Sequence, residues 1–199
     1  MTDLDCFNWQ AASWDDHASI WRELVESSNE DVAVFRSREL NAWEAGIVFE
    51  RWVLEGFRLS KVEVQSSFST TVRGTQRDEQ QIDGLVLFEW QGFLVQSKFW
   101  RGPRKVDFGP VALLHVQCEQ RAPNTMGLMF APFGFTVPAI DQAARLRPIR
   151  VLLLDSSDLE WAIEHRDFDE LVRRKWMAAV KLGIPNHPVD SMEGDVTHV

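Results

Sequence analysis

Apolar residues are densest in two consecutive runs near the middle of the chain, residues 81–89 and 91–99. Both runs have the length of strands, and their mostly apolar composition is typical of strands that are covered on both faces. The junction Trp90-Gln91-Gly92 contains a glycine, which can adopt a positive φ in a tight turn without steric cost. The pattern therefore predicts a buried β-hairpin.

Three polar residues interrupt this apolar hairpin: Asp83, Gln96 and Lys98. Gln96 and Lys98 are two residues apart, so their side chains leave the same face of one strand. Asp83 lies on the partner strand, close to the position that the turn would place beside them. A carboxylate, a carbonyl oxygen and an ammonium group on one sheet face predict a site for a divalent cation and an activated water.

A helix is predicted over 37–56, and its positions of period 3.6 on one side are interpreted as the solvent face. These positions are Glu44, Val48, Arg51 and Glu55. Most other positions are apolar and are expected to face inward, including Trp43. Glu50 lies about 120° from the solvent stripe. An inward carboxylate is costly unless it is paired or binds a cation, so Glu50 either forms a buried ion pair with Arg73 or Lys98, or belongs to the cation site.

The rest of the chain alternates predicted helices and strands. Helices are predicted over 15–27, 109–121, part of 132–147 and 158–181, and strands over 58–70, 126–131 and 149–154, with a polar loop at 71–80. This order predicts an α/β fold with a mixed central β-sheet flanked by helices. We divide the chain into an acidic, Trp-rich helical arm (1–36), one domain (37–185) and a flexible tail (186–199).

The charge is unevenly distributed along the 199 residues, whose formal net charge is −9. Residues 1–50 carry 11 acidic and 3 basic side chains, whereas residues 51–189 carry 16 acidic and 18 basic ones. A basic run, Lys98, Arg101, Arg104 and Lys105, directly follows the predicted site. This run is compatible with phosphate binding, although the overall charge argues against a nucleic-acid partner. Another basic run, Arg173-Arg174-Lys175, is interpreted as a solvated helix face.

The remaining composition predicts a cytoplasmic protein without a membrane span. Two cysteines are too few for a disulfide framework. The N-terminal residues have neither the basic nor the apolar region of a signal peptide, and no apolar run reaches the roughly 18 residues of a membrane helix. The five histidines lack zinc-ligand spacing, and the chain has no glycine-rich phosphate-binding motif.

Taken together, these motifs resemble the PD-(D/E)xK nuclease superfamily, and within it the catalytic domain of Mrr-type restriction endonucleases. The matching segments are Gly46–Glu50 on the helix, Ile82-Asp83-Gly84, Val95–Trp100 and Gly134–Ala139, the last similar to the GFT-x-x-A stretch of that family. The resemblance covers roughly residues 40–165. It implies a restriction-endonuclease-like core, a DNA substrate, hydrolysis that leaves a 5′-phosphate, and a role in defence against foreign or modified DNA.

The resemblance also implies a role for each site residue. Asp83, Gln96 and Glu50 would hold Mg²⁺ (or Mn²⁺), with the Ser97 backbone carbonyl as an alternative ligand to the Gln96 side chain. Lys98 would orient the attacking hydroxide and stabilise the charge at the phosphate. Arg101, Arg104 and Lys105 are expected from the local basic run to contact phosphates of the nucleic acid, and Thr136 of the GFT stretch is expected to contact it as well. Two positions depart from the pattern: Ile82 stands where Pro is common, and Gln96 replaces the more widespread Glu, which removes one anionic ligand.

Other interpretations remain open from the sequence. The fold could be catalytically inactive and serve as a module that binds nucleic acid or protein, or the nuclease could act on RNA or branched DNA. No separate DNA-reading module is evident in residues 1–40. The chain would therefore be relatively nonspecific, act as a homodimer that cuts both strands, or need a partner protein, for which the N-terminal arm is the candidate surface.

Overall fold

The structure is a computed structural model, and it describes residues 7–26, 33–71, 79–89, 91–100 and 104–192. The helices are α1 (Trp14–Glu26), α2 (Ala42–Leu59), α3 (Phe108–Glu119), α4 (Val137–Arg145), α5 (Ser156–His165) and α6 (Phe168–Leu182). The strands are β1 (Ala33–Phe35), β2 (Arg38–Leu40), β3 (Glu63–Thr71), β4 (Glu79–Leu87), β5 (Gly92–Ser97), β6 (Met126–Phe130) and β7 (Val151–Leu154).

Five strands form one mixed sheet in the order β3-β4-β5-β6-β7. The pairs β3–β4 and β4–β5 are antiparallel, and the pairs β5–β6 and β6–β7 are parallel. Side chains alternate across the central strand, as the period of two requires. Phe93 and Val95 join the core cluster that contains α2, whereas Leu94 joins the cluster that contains α3. The predicted α/β class, a mixed sheet flanked by helices, is confirmed.

The predicted central hairpin is confirmed, but its turn begins at Phe88 and not at Trp90. Phe88 and Gln91 exchange backbone hydrogen bonds of 2.9 and 3.3 Å, so they close the turn. Gly92 begins β5 and is not the turn residue that the sequence suggested. The antiparallel pairing of Gly84 with Val95 fixes the register, and this register sets Asp83 next to Gln96.

Helix α1 packs into the same core as the sheet. His17 Nε2 donates to the Trp52 carbonyl at 3.0 Å, and Trp52 Nε1 donates to the His17 carbonyl at 2.9 Å, so α1 and α2 are joined by a reciprocal pair. Trp21 and Leu24 are buried in the cluster that contains α2. The division drawn at residues 36 and 37 falls in the turn between β1 and β2, a hairpin that the hydrophobic pattern did not predict.

Helix α2 begins at Ala42 and not at Ser37. Asn41 is the N-cap of the helix, because its side chain accepts from the Trp43 and Glu44 amides and forms a capping box with Glu44. The predicted solvent stripe is wrong at two positions, since Val48 is buried and Glu55 is buried in an ion pair with Arg58. The expectation that Trp43 is covered is also wrong, because 68% of its surface is exposed.

The long C-terminal helix predicted over 158–181 is two helices. Arg166 adopts the left-handed conformation and ends α5, and Asp167 caps α6 by accepting from the Glu170 amide. The solvated basic face predicted at Arg173-Arg174-Lys175 is wrong at Lys175. Its ammonium is buried and donates to Asp158 at 2.6 Å and to the His187 carbonyl at 2.9 Å.

The predicted tail packs against the domain over part of its length. Val189 is buried, and its amide donates to Asp158 at 3.3 Å, while residues 193–199 lie outside the described residues. Most of the predicted polar loop, residues 72–78, also lies outside them. Among the described residues, no helix has the length and apolar character to cross a membrane.

Candidate active site

The predicted site residues meet where β5 ends against α2. Gln96 Nε2 donates to Asp83 Oδ2 at 2.8 Å, and the Ser97 amide donates to the same oxygen at 2.7 Å. Asp83 is only 4% exposed. Two donors on one carboxylate oxygen fix the orientation of the group, which leaves Oδ1 as the oxygen better placed to meet a further partner.

Lys98 follows directly after the last residue of β5. Its amide donates to the Phe130 carbonyl at 2.8 Å, so the backbone still follows β6 at this point. The side chain is half-buried. The strand neighbours thus hold the base of Lys98 firmly, while its ammonium lies close enough to Asp83 and Glu50 to affect both of them electrostatically.

Glu50 reaches the site from α2, which the ring of Phe49 anchors. The Phe49 and Phe99 ring centroids are 5.2 Å apart, so this part of the helix lies over the end of β5. Glu50 is half-buried. The predicted inward orientation of Glu50 is therefore observed. Of the two ion-pair partners that the sequence left open, Arg73 lies outside the described residues and Lys98 lies nearby.

Burial favours the neutral forms of both carboxyl groups at the site. The pKa of Glu50 is raised to about 7, chiefly by burial and also by the negative charge of Asp83, while the charges of Lys98 and Arg51 oppose the shift. Burial also raises the pKa of Asp83, against the lowering effects of the Ser97 amide, Lys98 and Gln96. The two cations near Glu50 therefore do not compensate the carboxylates fully.

This incomplete compensation fits a hard cation. Glu50 and Asp83 supply carboxylate oxygens, and Gln96, whose amide nitrogen is committed to Asp83, has its carbonyl oxygen left as a neutral donor. Oxygen donors of this kind are those that Mg²⁺ and Mn²⁺ take. No group of three or more His, Cys, Asp or Glu with metal-binding geometry occurs in the described part of the chain. The candidate ligands of the cation are therefore the carboxylates of Glu50 and Asp83 and the amide of Gln96.

The residues predicted to contact nucleic acid differ in their surroundings. Arg104 and Lys105 are exposed, and the Arg104 guanidinium lies 4.6 Å from the centroid of the Trp100 ring. Arg101 lies outside the described residues. Thr136 caps α4, since its Oγ1 accepts from the Ala139 amide at 3.2 Å. Because parallel strands end at the same edge of a sheet, the segment that leads from β6 to Thr136 starts at the edge where Lys98 lies.

Two features of the site were missed by the sequence reasoning. Arg51, assigned to the solvent face, acts electrostatically on Glu50. The Ser97 amide, which helps to fix Asp83, carries no side-chain signal at all. The Ser97 hydroxyl is buried, and it has no hydrogen-bond partner within the described residues. The sequence reasoning named residue 97 only for its backbone carbonyl, as an alternative cation ligand, and not for the amide that holds Asp83.

No family model and no curated protein sequence matches the chain. Solved structures that resemble it include the following three. A protein of unknown function, AF1548, has 13% identity and a TM-score of 0.47 over 69% of this chain and 78% of its own. The restriction endonuclease FokI has 16% identity and a TM-score of 0.46 over 67% of this chain and 28% of its own. A repair endonuclease from Pyrococcus abyssi has 16% identity and a TM-score of 0.37, over 61% and 50%.

Proposed function

We propose that the chain is a metal-dependent nuclease that hydrolyses phosphodiester bonds in DNA. The observation that supports this most is the meeting of Glu50, Asp83, Gln96 and Lys98 at one end of β5. Two carboxyl groups with raised pKa values and a half-buried ammonium are a costly arrangement for a structural site. A phosphate and a cation together would compensate these charges.

Each residue would have a separate task. Asp83, oriented by Gln96 and the Ser97 amide, would be the fixed ligand, and Glu50 would bind the same cation directly or through water. When bound, Mg²⁺ or Mn²⁺ would lower the pKa of the attacking water and neutralise charge at the phosphate. Lys98 would donate to a phosphate oxygen and hold the attacking water in line, because its backbone is fixed by β6.

The finer assignment rests on the sequence resemblance. It suggests an Mrr-type enzyme of the cytoplasm that acts in defence against foreign or modified DNA. Arg104 and Lys105, both exposed, would contact the phosphates on either side of the cut, together with Arg101 and the segment around Thr136. A homodimer would allow cleavage of both strands, and residues 1–36 would be the surface for a partner protein.

A cleavage panel tests this proposal. The purified chain is incubated with single- and double-stranded DNA and RNA in Mg²⁺ or Mn²⁺, with EDTA and Lys98→Ala as controls. We expect DNA to be cut by the wild type only, with loss of cutting in both controls. Binding without any metal-dependent cleavage would refute the nuclease and favour a binding module, and cleavage confined to RNA would refute the assigned substrate.

A further inference from the structure

Helix α2 presents one face to three different environments along its length. At 100° per residue, Trp43, Glu50 and Phe57 lie within about 40° of one another. Phe57 is fully buried and Glu50 is half-buried, whereas Trp43 is 68% exposed. The face that packs on the sheet at one end of the helix is therefore open to solvent at the other.

The direction of the helix explains this change. The ring centroids of Phe57 and Phe88 are 6.2 Å apart, at the turn end of the β4–β5 hairpin. The ring centroids of Phe49 and Phe99 are 5.2 Å apart, beyond the end of β5. Helix α2 thus runs antiparallel to β5, and its first two turns extend past the edge of the sheet. Trp43 is seven residues before Glu50, or about 10 Å along the helix axis, beyond the end of β5 at which Lys98 lies.

The surface between Trp43 and Glu50 is open. Gly46 lies between them on the helix, and a Cβ built on Gly46 would meet no heavy atom of the described residues within 4 Å. An indole carries 150–250 Å² of mostly apolar surface, and the N-terminus of α2 does not need it, because the Asn41 side chain already caps the helix. A large aromatic ring is thus exposed to solvent on the helix face that carries Glu50, with Gly46 between the two side chains.

We propose that Trp43 stacks on an unpaired nucleobase of the DNA substrate, close to the scissile phosphate. This inference rests on the proposed function and deepens it by naming the substrate class. Each base inside a duplex has its two faces covered by its neighbours, so the base that meets Trp43 belongs to a single strand or to an unstacked position. The face of the ring supplies the contact, and the contact is tolerant of base identity.

Binding measurements with matched variants test the inference. Wild type, Trp43→Ala and Trp43→Phe are titrated with fluorescein-labelled single-stranded and duplex oligonucleotides in Ca²⁺, with a gel to verify that the DNA stays intact. Val180→Ala is the control, because Val180 is a 62% exposed apolar residue on α6. Trp43→Ala should weaken single-strand binding about 5- to 100-fold. Trp43→Phe should retain most of the affinity, and the control all of it.

An abasic scan locates the contact. One base at a time is removed from the single strand, and the loss of affinity is compared between wild type and Trp43→Ala. At one position, near the cleaved bond, removal of the base should weaken the wild type and leave the variant unchanged. Gly46→Gln gives an independent variant, since it improves helix propensity and places a side chain on the helix surface between Trp43 and Glu50. It should reduce single-strand affinity without lowering the melting temperature.

The results separate this inference from the proposed function. Equal binding by wild type and Trp43→Ala, or equal losses at every abasic position, would overturn the stacking contact even if Lys98-dependent cleavage is observed. A change of oligomeric state in Trp43→Ala with unchanged DNA affinity would overturn it as well and identify Trp43 as a protein contact. Stacking measured in a chain that cleaves nothing would support the contact and refute the nuclease.

Discussion

His17 gives a prediction about stability whose size follows from its surroundings. The side chain lies between α1 and α2, is 1% exposed, and stacks on the Trp52 ring at 4.2 Å between centroids. Nε2 must carry the proton, because its partner is the Trp52 carbonyl, and Nδ1 is buried without a partner in the described residues. Burial lowers the pKa of His17 to about 4, against a smaller raising effect of the Trp52 carbonyl.

The sign of the pH dependence follows from this shift. An unfolded histidine has a pKa near 6.5, so between about pH 6.5 and pH 4 the unfolded chain binds a proton that the folded chain excludes. The contribution of neutral His17 to the free energy of unfolding is thus fully present above about pH 6.5 and is lost as the pH falls toward pH 4. The lowering of the His17 pKa from 6.5 to about 4 corresponds to a loss of about 3 kcal/mol in the free energy of unfolding below pH 4, of which about 2 kcal/mol is lost by pH 5.

Urea unfolding at pH 7.5 and pH 5.0 measures this loss in wild type and His17→Phe. The phenyl ring retains the stacking area but cannot be protonated. The comparison is needed because raised carboxyl pKa values, such as that of Glu50, act in the opposite direction in both proteins. The stability difference, wild type minus variant, should fall by about 2 kcal/mol between pH 7.5 and pH 5.0. A difference that does not change with pH would refute the buried, neutral histidine.

Two further predictions concern buried charge. Glu50→Gln should raise the melting temperature in EDTA at pH 8, where the folded carboxyl group must ionise, and should raise it much less at pH 5, where the group is protonated in the fold. Addition of Mg²⁺ or Mn²⁺ should raise the melting temperature of the wild type more than that of the variant. Equal metal-induced shifts of the two proteins in scanning calorimetry would argue against Glu50 as a ligand. Lys175→Met should lower the free energy of unfolding by about 3–5 kcal/mol, because it leaves Asp158 buried without its cation. The matched change Arg173→Met, at an exposed neighbouring position, should cost less than about 0.5 kcal/mol in urea unfolding, and similar costs for both would contradict the buried pair.

The central hairpin and the convergence of Asp83, Gln96 and Lys98 could be predicted from the sequence, because both depend on short-range alternation and a local register. Glu50 could be placed on the inward side for the same reason. Periodicity gives the direction of a side chain, but not what lies in that direction. Trp43 lies on the same helix face as Glu50 and Phe57 and is nevertheless exposed, because the sheet ends before the helix does.

Other differences arise from partners that are distant in sequence. A run such as Arg173-Arg174-Lys175 looks solvated until Asp158, 17 residues before Lys175, is brought against it. Val48 is buried in the core cluster that also contains Trp21 and Leu24 of α1, which a helix considered alone cannot reveal. The short hairpin of β1 and β2 has only three residues in each strand, too few for a recognisable alternation.

The central claim is that Lys98 and its carboxylate neighbours hydrolyse DNA. The most direct measurement is the initial rate of DNA cleavage in Mg²⁺ by wild type, Lys98→Ala and Lys181→Ala, with the ends of the products identified. Lys181 is an exposed lysine in the last turn of α6, so its change controls for loss of positive charge. We predict products with 5′-phosphate ends, a rate reduced at least about 100-fold in Lys98→Ala, and an unchanged rate in Lys181→Ala. Equal cleavage by all three proteins would contradict the account.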